Sequence, residues 1–72
     1  MLDLKPGYRV ICESRPDVLQ LIRRYEMCGI AYWECVGQVG VITSCEESDI
    51  IKVVETDPNA YWLRFKSSYE AQ

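Results

Sequence analysis

From Ile30 onward the sequence is cut into short runs of β-forming residues by glycine, proline and acidic clusters, and this punctuation limits the fold more than any other feature. Ala31-Tyr32-Trp33-Glu34-Cys35 predicts one strand. Val36 to Thr43 predicts another, with Gly37 and Gly40 marking a sharp bend or bulge ahead of it. Glu46-Glu47-Ser48-Asp49 is an acidic turn, Ile50 to Val54 a further strand, and Thr56-Asp57-Pro58-Asn59 a turn. Tyr61 to Phe65 is the last strand, and Lys66 to Gln72 a short turn and chain end. Upstream, Lys5-Pro6-Gly7 reads as a turn and Tyr8 to Glu13 as the first strand.

One segment follows a different period. Ser14-Arg15-Pro16-Asp17 has the residues of a helix start: a capping serine, a proline whose missing donor is no loss, and an acid in the first turn. Val18, Leu21, Ile22 and Tyr25 then fall at i, i+3, i+4 and i+7, one apolar stripe at helical spacing. Gly29 supplies a stop. The expectation is a helix over residues 15–28, inserted between the first two strands. Short strands with glycine bends point to a small barrel, which removes exposed sheet edges. A sheet with the helix across one face is the other arrangement the pattern allows.

At 72 residues the chain has room for one domain, residues 1–72. Its apolar runs are far shorter than the roughly 18 residues needed to span a bilayer, so direct membrane insertion is not expected. No basic region followed by an apolar stretch opens the chain, and the expected location is cytoplasmic, or peripheral on a membrane complex. The net charge of −3 argues against nucleic acid as the main partner, since phosphate contacts need a concentrated positive field. The one basic doublet is Arg23-Arg24.

Histidine is absent, which removes Ser-His-Asp and Cys-His catalysis. Neither Gly-rich phosphate-binding signature is present. Cys12, Cys28, Cys35 and Cys45 contain no C-x-x-C pair, so the expectation is four reduced cysteines packed in the core, no metal and no cofactor. Three acids in one turn read as a solvated loop rather than a catalytic pair. The chain is therefore expected not to be an enzyme.

The aromatic doublets Tyr32-Trp33 and Tyr61-Trp62 carry the binding hypothesis. Alternation across a strand sends one ring of each pair inward and one outward. With Tyr61, Leu63 and Phe65 inward, Trp62 and Arg64 share the outer face. With Ile51 and Val53 inward, Ile50 and Val54 join them. An outer patch of Trp62, Arg64, Ile50 and Val54, with Trp33 as a further candidate, is the expected partner-binding site.

Two family resemblances attach to these segments. Lys5-Pro6-Gly7-Tyr8-Arg9-Val10, Tyr32-Trp33-Glu34, Gly40-Val41-Ile42 and the stretch from Thr56 to Arg64 resemble the small O subunit of the photosynthetic NAD(P)H dehydrogenase-like complex. Gly7-Tyr8-Arg9-Val10, Asp17-Val18-Leu19-Gln20, Val39-Gly40-Val41-Ile42 and Asp49-Ile50-Ile51 resemble the repeat of Mind bomb-type ubiquitin ligases, whose Gly-His-Gly-Gly-Trp segment is missing. With its strands so placed the chain resembles an SH3-like small barrel of about five short strands, and with the expected helix the fold class is mainly β with one helix. The first family resemblance implies an accessory subunit of a membrane-associated complex, the second a module that binds protein segments. The expected function is a non-enzymatic protein-protein interaction module or accessory subunit, with a nucleic-acid-binding small barrel as the alternative.

Overall fold

Apart from one short 3-10 segment, all the regular structure of the described residues is β-strand, in keeping with the chain's many β-branched and aromatic residues. The structure, a computed structural model, describes residues 2–57 and Asn59. Five antiparallel strands form one sheet in the order β4-β3-β2-β1-β5. They are β1 (Arg9–Cys12), β2 (Val18–Met27), β3 (Ile30–Gly37), β4 (Ile42–Glu46) and β5 (Ile50–Glu55). A 3-10 turn at Glu47–Asp49 links β4 to β5. No helix among the described residues is long and apolar enough to cross a membrane.

The helix expected over residues 15–28 is a strand instead. Leu19 and Leu21 alternate into the core as strand residues do, facing Gly37 and Cys35 of β3. Pairing then slips between Leu21 and Arg23, leaving Ile22 as an extra, exposed residue. That bulge displaces the later residues by one position and so imitates a helical stripe at 18, 21, 22 and 25. Gly29 does not end a helix either. Cys28 and Gly29 both take positive φ, 54° and 78°, between the paired Met27 and Ile30. This is the geometry of a two-residue hairpin turn whose twist matches the flanking strands. Ser14 caps no helix; its hydroxyl donates to the Asp49 carboxylate.

The core lies on one face of the sheet. Val10, Cys12, Leu19, Leu21, Trp33, Cys35, Cys45 and Ile50 are buried there, with Leu4, Tyr8 and Val53 packed against them. A flat sheet could not bury that face by itself, and the loop after β1 supplies cover. Glu13 N–H donates to Asp49 O at 2.8 Å, and the Arg15 guanidinium reaches Thr43 Oγ1 at 3.4 Å. The β1–β2 loop thus leans across the core onto β4 and the 3-10 turn. Strands β4 and β5 do not pair, so the sheet is curled but not closed.

Strand β5 corrects the expected parity. Its ladder to β1 runs Cys12↔Ile50, Ile11↔Lys52, Val10↔Val53 and Arg9↔Glu55, with a slip at each end. Ile51 and Val54 are the extra residues of the two slips. Ile50, expected outside, is therefore core at 6% exposure, while Ile51, expected inside, is exposed. Val53 is half-buried and Val54 is 41% exposed. The last strand at 61–65, with Trp62 and Arg64, lies outside the described residues.

Candidate functional site

The β3–β4 turn places the most exposed large apolar side chains of the described residues at one end of the sheet. Gly37 N–H donates to Val41 O at 3.2 Å and Gly40 N–H to Gly37 O at 3.0 Å. The turn closes through Gly40 at φ 88°, a conformation that glycine adopts without strain. So tight a loop has no interior, and its β-branched residues must face water. Val39 is 86% exposed, and Val41 and Ile42 are each 64% exposed. They adjoin a shallow depression whose other wall is Arg15, Asp17 and Leu19. The site is therefore an apolar rim with one cation and one carboxylate opposite it.

Of the expected contact residues, Trp62 and Arg64 lie outside the described residues, and Trp33, Ile50 and Val54 do not share an exposed face. Trp33 is 3% exposed, its indole N–H donating to Glu47 Oε2 at 2.8 Å. It is a core residue with a satisfied polar edge and offers no contact surface. Ile50 is core, which leaves Val54 as the one described member of the expected patch on the outside. Val39 and Val41 were hidden in the sequence by the assumption that a Val-Gly-Val segment continues a strand. The signal that finds them is the pair of glycines three residues apart, which forces a turn.

Two polar clusters occupy the other end and the outer face. Arg24 Nε lies 2.8 Å from Glu47 Oε2, and its Nη1 lies 3.1 Å from Glu26 Oε2. The Arg24 guanidinium and the Trp33 indole hold the Glu47 carboxyl below the usual carboxylate range. Arg23 Nε sits 3.3 Å from Glu34 Oε1, with its guanidinium 5.4 Å from the Tyr25 ring centroid. Tyr25 and Tyr32 stack across β2 and β3 at 5.5 Å, and Tyr25 OH is 2.8 Å from Ser44 Oγ. The basic doublet is thus occupied by carboxylates.

Cys12, Cys35 and Cys45 are buried, whereas Cys28 is exposed in its hairpin turn, against the expectation that all four are core. Cys35 Sγ and Cys45 Sγ lie 3.7 Å apart. Burial, reinforced by the Cys45 thiol, pushes the Cys12 thiol up to about 12. The Cys35 thiol, followed by burial, pushes the Cys45 thiol up as well. Thiols so disfavoured as thiolates are poor nucleophiles. Among the described residues no group of His, Cys, Asp and Glu is set to hold a metal ion. No protein-family model, curated protein or solved structure matches the chain.

Proposed function

We propose that this chain is a non-enzymatic protein-protein interaction module or small accessory subunit, built as an SH3-like barrel. The observation that carries the reading is the exposed Val39-Val41-Ile42 rim beside the Arg15, Asp17 and Leu19 wall. Contiguous exposed apolar side chains with a polar border are characteristic of contact surfaces. Strand order supports the barrel: four strands follow one another, and the fifth returns after a 3-10 turn to pair with the first.

Protein is favoured over nucleic acid because the described basic residues are not gathered into a field. Arg23 and Arg24 are held by carboxylates, Lys5 lies 3.8 Å from Asp3, and Arg9 is buried. Peripheral attachment to a larger assembly, as the first resemblance implies, fits such a surface. The test compares proteins that co-purify from the native cell with the wild-type chain and with Val39→Asp and Val41→Asp. Specific partners should be lost with either variant while the circular-dichroism spectrum is retained. Unchanged partners, or RNA or DNA binding that weakens steeply with salt, overturns the reading.

A further inference from the structure

The two outer strands of the sheet are guarded very differently. An unpaired strand edge is a template for another strand, and proteins blunt it with bulges, lysine or proline. Strand β5 carries two register slips and Lys52. Strand β4, Ile-Thr-Ser-Cys-Glu, has neither lysine nor proline and pairs with β3 over five residues without a slip.

The direction of its backbone groups follows from the ladder. Gly37 N–H bonds to Val41 O, and antiparallel bonds alternate every second residue. Thr43 and Cys45 therefore bond toward β3, while the N–H groups of Ile42, Ser44 and Glu46 turn outward. Ile42, Ser44 and Glu46 are all exposed. Among the described residues no other group bonds to the backbone N–H of these three. Arg15 bonds to the Thr43 side chain, and with Ser14 and Asp49 it faces Ser44, Cys45 and Glu46 across a depression that runs along this edge.

We infer that the β4 edge pairs with β4 of a second copy of this chain, antiparallel about a two-fold axis through Ser44. This goes beyond the function proposed above and does not depend on it. The register is self-complementary. Ser44 N–H and C=O bond reciprocally to Ser44 of the other copy, and Glu46 N–H meets Ile42 O. On the outer face each Glu46 lies beside an isoleucine rather than beside its twin. The two carboxylates stand about 14 Å apart at roughly 3.4 Å per residue, beyond the Debye length of about 8 Å at physiological salt. A parallel arrangement would instead align Glu46 with Glu46 and would not close.

The experiment is sedimentation equilibrium of the full chain over a range of micromolar concentrations. The apparent mass should rise toward twice the chain mass. Ser44→Pro removes the central donor at an edge position where proline is tolerated, and should leave a folded monomer at every concentration. If that variant does not fold, Ser44→Lys keeps the donor and opposes two ammonium groups, and should give the same monomer. Register is read by cross-linking on a Cys28→Ser background. Ser44→Cys should form a covalent dimer on mild oxidation. Ile42→Cys should not link to itself but should link to chains carrying Glu46→Cys. A wild-type chain that stays monomeric up to several hundred micromolar overturns the inference, as does self-linking of Ile42→Cys. Because Val39→Asp leaves β4 intact, loss of a protein partner and loss of self-association are separate results.

Discussion

Trp33 Nε1 and Arg24 Nε both donate to the same oxygen of Glu47, each at 2.8 Å, so one carboxylate of the 3-10 turn fastens to β2 and β3 at once. Both donors hold the carboxyl below its ordinary range, Arg24 first and Trp33 second. A carboxyl depressed in the folded state stabilises the protein above its unfolded value, near 4.3 for glutamate. That contribution is lost as pH falls through the lower folded value. Glu47→Gln should therefore lower the melting temperature at pH 7, and the gap to wild type should narrow as pH falls below the unfolded value and through the lower folded one. A gap of constant size between pH 7 and pH 3 would show that the charge of Glu47 is not what fastens the turn.

The cysteines separate by accessibility. Cys28 is exposed in its turn, whereas Cys12, Cys35 and Cys45 are buried; burial raises the Cys12 thiol, and the Cys35 thiol followed by burial raises that of Cys45. Iodoacetamide at pH 8 should add one label to the folded chain within minutes. Peptide mass spectrometry should place it on Cys28. Denaturant should open the other three. Rapid labelling of Cys12 or Cys45 in the folded chain would mean that the core is not packed as described.

Residue pattern alone reveals part of this architecture. The segments at β1, β3 and β5 are legible because β-branched and aromatic residues there are bounded by turn-forming ones. Strand β2 is not, because a bulge at Ile22 turns a period of two into spacings that a helix also satisfies. The same mechanism hides the orientation of Ile50, where an extra residue at Ile51 swaps the faces. Bulges are set by pairing with a neighbouring strand, and that information does not reside in either strand by itself. The apolar rim at Val39 and Val41 is legible in principle from Gly37 and Gly40, once those glycines are taken to close a turn. Trp33 is misleading for a different reason: tryptophan serves cores and interfaces alike, and the partner that decides between them is Glu47, fourteen residues away.

The hairpin turn can be tested directly. Gly29 has φ 78°, and a Cβ there meets no atom within 4 Å. The penalty for Gly29→Ala is therefore conformational and not steric with neighbours, about 1 kcal/mol. Cys28 also has positive φ, and asparagine adopts that region more readily than cysteine. Cys28→Asn should stabilise the chain by a few tenths of a kcal/mol to about 1 kcal/mol. Urea denaturation with an unchanged slope measures both. If the segment were a helix with Gly29 as its stop, Cys28→Asn would bring no such gain.

The slips in β5 make the sharpest prediction about what faces the core. Ile50 is 6% exposed and belongs to the buried cluster that holds Val10, Cys12 and Cys45, while Val54, four residues on, is 41% exposed. Four residues apart on a regular strand would put both on one face. Here the slip at Ile51 puts them on opposite faces. Ile50→Ala removes buried methyl groups and leaves a cavity, so it should cost about 2–5 kcal/mol. Val54→Ala should stay within about 0.5 kcal/mol, as exposed substitutions do. In a domain this small the larger loss consumes most of the stability, so Ile50→Val, at about 0.5–1.5 kcal/mol, is the measurable companion. Equal losses at Ile50 and Val54 would require a strand without the slip, with Ile51 and Val53 restored to the core and Ile50 to the surface.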